Sequence, residues 1–391
     1  MQLTRRAALQ GLALASAFGS VRLASASLVD EDPRLLLVHV RGGLDALAAV
    51  PPYGDPHFAS ARGPLVPFPN SGVAEMLKLD GLFALHPALR PLLPHYSCGE
   101  LLIVPATAIP DAGRSHAAAQ AALFDGDIDG DSAGWLDRAS SVLSRRQKAV
   151  WRARPADRSM DMLADLALAN PRLDLVRLCA EGTWPSGGNG SESLLEQHAA
   201  CDAVRFGDAA RSAALALSAT GGPRIAMLEV AGFDTHVAQG ADFGRLARSL
   251  NGLARGLIAF AQASGPAWNR TAVLVVTEFG RSVVPNTDGG TDHGVASVTL
   301  LMGGAVAGGR VGNRWPGLAR NTLHGGTDLA ATTDVRSIIK GVLTEHLRLP
   351  DRAMAKIFPG AAGIPAVRGL FVGSRCPGGG STGFDVISSA V

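Results

Sequence analysis

Five short apolar runs, each bounded by turn-forming residues, constrain this chain more than any other feature. They are Leu35–Val40, Leu101–Ala106, Arg224–Val230, Ala272–Thr277 and Ser297–Met302. Their length and branched aliphatic content predict strands. The apolar residues run on with little alternation, as expected when helices cover both faces of a sheet. Between them the periodicity becomes helical. Within Ala241–Ala263, Phe243, Leu246, Leu250, Leu253, Leu257 and Phe260 form one stripe, with Arg245, Arg248 and Arg255 largely on the other face. Further helices are expected at Asp334–Leu347, Ala117–Phe124 and Met160–Ala169. Strands alternating with helices predict an α/β fold, a largely parallel central sheet flanked by helices.

Composition narrows the function classes. Apolar residues make up 47% of the 391 and charged residues 18%, which describes a globular chain. A formal charge of +2 is too small to imply a nucleic acid or membrane partner, and no basic run is interleaved with aromatics. Arg5 and Arg6 are followed by the uncharged stretch Ala7–Val21 and the small-residue site Ala24-Ser25-Ala26. This predicts a twin-arginine signal peptide over residues 1–26. It makes the twin-arginine export machinery an expected partner and the location periplasmic or secreted. An ordinary secretory signal carrying two arginines is the alternative. No segment reaches the roughly 20 apolar residues of a membrane span. Residues 27–391 read as one domain without a transmembrane segment, with Gly182–Ser191 as a surface loop. Cys98, Cys179, Cys201 and Cys376 form no C-x-x-C pair, which argues against a zinc knuckle or thioredoxin-type site. Cys179 with Cys201 is the preferred disulfide in an oxidising compartment, and buried free thiols are the alternative.

In open α/β sheets ligands collect beyond the carboxyl ends of strands, so the residues after each strand matter most. The first strand is followed by Arg41-Gly42-Gly43-Leu44-Asp45, and the second by Ile109-Pro110-Asp111 and Arg114-Ser115-His116. The third leads to Gly232-Phe233-Asp234-Thr235-His236, and the fourth ends in Thr277-Glu278-Phe279-Gly280-Arg281. Gly290-Thr291-Asp292-His293-Gly294 precedes the fifth. Asp and His converging from several loops suit a divalent metal such as zinc, manganese or magnesium. Asp234 with His236 can present two ligands from one tight turn, and Asp292-His293 one or two. Structural readings stand beside these. Asp234 and Asp292 suit turn or helix caps, Ser115 an N-cap and His116 a helix start. Glu278 suits a buried ion pair with Arg281 or Arg114. His39, His86, His95, His198, His324 and His346 show no partner pattern and read as structural or exposed.

Together these segments resemble the DUF1501 proteins, an uncharacterised exported bacterial family. The likeness also takes in Val50-Pro51-Pro52-Tyr53-Gly54-Asp55, Leu85-His86-Pro87-Ala88-Leu89, Gly134-Trp135-Leu136-Asp137-Arg138 and Gly308-Gly309-Arg310-Val311. Ala149–Ser218 matches least. That family in turn looks like a distant branch of the alkaline phosphatase and sulfatase superfamily, which implies an alkaline-phosphatase-like fold. The resemblance implies a metal-ligating Asp45, a nucleophile at Ser115, and later ligands at Asp234, His236, Asp292 and His293. Glu278-Phe279 stands where the superfamily usually has Asp-His, so one ligand would be lost or replaced by Glu278. His116 and Arg114 would complete the catalytic set, with Arg114 and Arg41 clamping anionic oxygens. The expected function is a metal-dependent hydrolase of small phosphate or sulfate esters. A catalytically inactive secreted binding or assembly protein on the same fold is the alternative.

Overall fold

The computed structural model describes residues 32–67, 77–110, 112–124, 134–143, 150–153, 191–312 and 314–372. The described residues all belong to one compact unit within residues 32–391. The signal peptide, the helix expected at Met160–Ala169, and Cys179 of the expected Cys179–Cys201 pair lie outside the described residues. Cys98 is a free, exposed thiol.

All five expected strands are present. They are β1 (Arg34–Val40), β2 (Leu101–Ala108), β4 (Ile225–Val230), β5 (Thr271–Thr277) and β6 (Ser297–Met302). Three short strands join them: β3 (Val150–Ala153), β7 (Arg310–Val311) and β8 (Thr333–Asp334). The order is β7-β2-β6-β5-β1-β4-β3, with β8 also pairing β2. β1 runs parallel to β4 and β5, β3 parallel to β4, and β7 and β8 parallel to β2. Among the described strands of this sheet only β6 is antiparallel to its neighbours, β2 and β5. Two antiparallel steps bring β2 back into the direction of β5, so β1, β2, β4 and β5 all end on the same edge.

The continuous apolar runs follow from burial on both faces. Leu36, Val38 and Val40 of β1 belong to one apolar cluster with Phe206, Leu250, Leu253 and Leu257. Those residues come from α3 (Ser191–Ser218) and α4 (Arg245–Ser264). Leu35 and Leu37 point the other way and join Leu123, Trp135, Ile338 and Ile357. These belong to α1 (His116–Phe124), α2 (Trp135–Val142), α5 (Val335–Gly341) and α6 (Asp351–Ile357). Each such buried side chain contributes about 1.5–3 kcal/mol. α3 and α4 pack so closely that a Cβ on Gly256 would lie 2.2 Å from the Phe206 ring. α4 starts later than the apolar stripe suggested. Gly240 and Gly244 take positive φ values of 77° and 111°, which break the helix and leave Phe243 exposed.

After α5 the chain makes a π-helical turn, Val342–His346, that places His346 under β1. Its Nε2 donates to the Arg34 carbonyl at 2.8 Å, and its ring stacks on Phe371. Burial, opposed in part by that hydrogen bond and reinforced by Arg224 and Arg348, pushes its pKa down from 6.5 to about 4. A histidine with a depressed folded pKa stabilises fully above the unfolded value, and that stability is lost as pH falls from 6.5 to about 4. At 1.36 kcal/mol per pKa unit the loss is roughly 3 kcal/mol. The thermal midpoint should therefore fall between pH 7 and 4 more steeply in wild type than in His346→Gln, which keeps the donor but cannot titrate. Equal slopes would contradict this.

Candidate metal centre

The shared edge gathers the loops after β1, β4 and β5 and the start of α1. Gly42 makes this possible: at φ 112° a Cβ there would sit 2.4 Å from the Asp234 amide nitrogen. A short antiparallel ribbon, Gly280–Arg281 with His293–Gly294, folds His293 back over the same edge.

Ligand atoms of His116, Asp234 and His293 lie within 4.8 Å of one another. His236 adjoins this group through Asp234 and His293. Asp234 Oδ1 is 3.1 Å from His236 Nε2 and 3.4 Å from His293 Nε2, and Asp234 Oδ2 is 3.5 Å from His116 Nε2. His236 Nε2 and His293 Nε2 are 2.9 Å apart. Metal–nitrogen and metal–oxygen bonds of about 2.0–2.1 Å in a tetrahedron put neighbouring ligand atoms roughly 3.3 Å apart. The edges among Asp234 Oδ1, His236 Nε2 and His293 Nε2 have about that size, while His116 faces the other Asp234 oxygen. Asp234 is 48% exposed, so the centre is open to solvent.

The partners of the other ring nitrogens assign the tautomers. His116 Nδ1 faces Glu278 Oε1 at 2.9 Å, His293 Nδ1 faces the Arg114 carbonyl at 2.7 Å, and His236 Nδ1 faces Asp292 Oδ1 at 3.4 Å. Each partner only accepts, so each Nδ1 can donate to it and leave the Nε2 lone pair to a ligand. Two such lone pairs at 2.9 Å repel unless a cation, a proton or a metal, comes between them. Burial, opposed by the bond to Arg114 and aided by the charges of Arg281 and His116, lowers the His293 pKa and favours its neutral, ligating form. The donor set therefore fits a divalent ion.

Around these groups sits a rigid shell. Arg281, fully buried, donates to the carbonyls of Gly43 and Thr291 at 3.0 Å each. It also donates to the Phe233 carbonyl at 3.0 Å, to the Gly42 carbonyl, and to Asp234 Oδ1. Burial would raise the Asp234 pKa, but the hydrogen bond and charge of Arg281 outweigh it and hold the carboxyl below its usual range. Glu278 accepts from His39 Nε2 at 3.2 Å, the Gly42 amide at 2.9 Å and Gln120 at 3.3 Å, besides His116. Burial again opposes ionisation, and the bonds from His39 and His116 and the Gly42 amide hold the carboxyl far below its usual range. Asn286 donates to Asp292 Oδ1 at 3.1 Å and, with His236, lowers the Asp292 pKa against a small burial cost.

The expected residues divide accordingly. His116, Asp234, His236 and His293 come together, and Asp292 stands behind His236. Glu278 lies behind His116 rather than in the ligand group, and its partners are histidines, not Arg281 or Arg114. Asp45 is turned away. It caps the short helix Ala46–Ala49 through Leu47 and Ala48 amides, while its other oxygen takes Arg62 at 2.5 Å and Gln239 at 2.7 Å. Ser115 is exposed at the head of α1, where its carbonyl accepts the Ala119 amide at 2.9 Å. The Arg114 side chain pairs with Asp328 at 2.5 Å, and Arg41 with Glu229 at 3.7 Å, so neither reaches the centre as a clamp. His39 and Gln120 are the contributors that the strand-end motifs did not single out, and Arg281, expected against Glu278, pairs with Asp234 instead. For His39 the available signal was an imidazole inside a wholly apolar strand, which burial obliges to find a partner.

Comparisons with known proteins give one family match and several distant structural likenesses. Residues 187–358 match the DUF1501 family, described as a protein of unknown function. That span holds Asp234, His236, Glu278, Asp292 and His293, while Asp45 and His116 precede it. No curated protein matches the chain. Among solved structures, the complex of Ps i-CgsB with k-i-k-neocarrahexaose shares 9% identity over 86% of this chain and 77% of its own, with a TM-score of 0.37. The PsFucS1 sulfatase from Pseudoalteromonas sp. shares 12% over 73% and 65%, with a TM-score of 0.37. The zinc complex of the C-terminal periplasmic domain of EcEptC from Escherichia coli shares 11% over 70% and 73%, with a TM-score of 0.33. These likenesses are distant, and the chemistry of the centre rests on its own residues. Among the described residues no helix is long and apolar enough to cross a membrane.

Proposed function

We propose that this protein is an exported, divalent-metal-dependent hydrolase of phosphate or sulfate esters. The observation that carries the reading is the convergence of His116, Asp234 and His293 ligand atoms at the strand-end edge, with His236 Nε2 beside both Asp234 and His293. Three nitrogens and one carboxylate favour zinc over magnesium. When bound, such an ion supplies Lewis-acid neutralisation of an ester oxygen. His116, Asp234, His236 and His293 would hold it, and their half-exposed position leaves room for a substrate. Ser115 is the candidate nucleophile. It stands one residue before His116 at the head of a nine-residue helix, where backbone amides without intrahelical partners favour an anion. Adjacent Arg5 and Arg6 support export.

A second reading, an inactive binding or assembly protein on this fold, is favoured by two observations. Asp45 is committed to Arg62 and Gln239, and Arg114 to Asp328. The experiment is turnover of aryl phosphate and aryl sulfate by protein loaded with zinc, manganese or magnesium. Hydrolysis of either, falling at least about a thousandfold in Asp234→Asn by loss of transition-state charge stabilisation, is expected. Bound metal without turnover of either ester would establish the binding-protein reading instead.

A further inference from the structure

We infer that Gln239 is a positioning residue whose side-chain amide clasps both ligand-bearing loops onto the Asp45–Arg62 pair and thereby sets the metal affinity. The inference rests on the metal centre proposed above and adds what holds it in shape. Gln239, Thr235 and Thr291 are completely buried. Thr235 lies between Asp234 and His236, and Thr291 directly precedes Asp292 and His293, so each threonine sits inside a ligand loop. One atom, Gln239 Oε1, receives both hydroxyls, from Thr235 at 2.8 Å and Thr291 at 2.7 Å. The amide orientation follows from its other end. Nε2 donates at 2.7 Å to Asp45 Oδ2, a carboxylate already paired with Arg62 and able only to accept.

The anchor reaches further. Arg62 Nη1 donates to the carbonyls of Ser282 and Val283 at 3.2 Å each, fixing the start of the loop that returns to His293. Backbone bonds run alongside, from the Thr291 amide to the Thr235 carbonyl at 3.1 Å and from the Gln239 amide to the Gly289 carbonyl at 3.0 Å. Asp45 thus acts at the centre without touching it. The spacing between Asp234, His236 and His293 is fixed by where the two threonine hydroxyls meet.

Outer partners of metal ligands change affinity by about 10–100-fold when removed. The test is zinc affinity of the full chain, read by competition with a chromophoric chelator, for wild type, Gln239→Leu, Thr291→Val and Thr291→Ser. Gln239→Leu should bind about 10–100-fold more weakly. Thr291→Val, nearly isosteric but without the hydroxyl, should weaken binding several-fold, and Thr291→Ser should restore it to within about twofold of wild type. Metal-free thermal midpoints of the two Thr291 variants supply the control, since a merely structural role would lower the midpoint and leave affinity alone. Should Gln239→Leu fail to fold, the Thr291 pair decides. Wild-type affinity in Thr291→Val overturns the clasp while leaving the metal centre standing. No zinc bound by wild type overturns both.

Discussion

Arg281→Met should leave little folded protein. Methionine matches the length of the arginine stem but donates nothing. Three buried carbonyls, those of Gly42, Gly43 and Thr291, would lose their donor at once, Phe233 one of its two donors, and Asp234 its closest cation. An orphaned buried acceptor costs about 1–3 kcal/mol. Three of them together cost roughly 3–9 kcal/mol, which is comparable to the whole stability of a typical domain, about 5–15 kcal/mol. Arg281→Lys keeps a charge but not the planar fork that serves several loops at once, so it should recover only part of the loss. Urea unfolding checks this directly. A midpoint for Arg281→Met close to wild type would mean that the three strand-end loops do not depend on the guanidinium.

Glu278→Leu is the second large effect, and it acts on stability and on the centre together. The carboxylate is fully buried and accepts from His39, His116, Gln120 and the Gly42 amide. Removing one partner of a buried charged network costs about 3–5 kcal/mol. His116 would also lose the acceptor that keeps the proton on Nδ1 and turns Nε2 toward Asp234, so metal affinity should fall about 10–100-fold in whatever protein folds. Glu278→Gln separates the two effects. It keeps one acceptor oxygen for His116 while weakening the ionic part, so affinity should fall less than stability. Zinc competition and urea unfolding on the same samples give both numbers. Unchanged affinity in Glu278→Leu would show that His116 is oriented by something else.

The sheet was legible because strands buried on both faces need continuous branched aliphatics, and helices flanking them need a 3.6-residue stripe. The stripe misled only at Phe243, where two positive-φ glycines stop α4 short. The meeting of Asp234, His236 and His293 was legible because their turns all lie at strand ends on one sheet edge, although Asp234 alone also suited a turn cap. Asp45 carried the same local signal, and what separates it is Arg62, a partner supplied by a neighbouring element that sequence spacing does not announce. His39 was hidden for the converse reason. It sits mid-strand, and only the β1–β4 register, which aligns His39 with Glu229, shows where its ring must go. The same holds for Arg281. Its nearness to Glu278 in sequence suggests an ion pair, yet the ribbon with His293 turns the guanidinium toward Asp234.

Metal content of the purified protein, by elemental analysis after reconstitution with zinc, manganese and magnesium in turn, tests the central claim most directly. The account predicts about one ion per chain in wild type, zinc held most tightly, and none in a folded variant carrying both Asp234→Ala and His293→Ala. No metal in wild type under any of these conditions would contradict it. The close approach of His236 and His293 would then be bridged by a proton, and the hydrolase reading would fall with the centre.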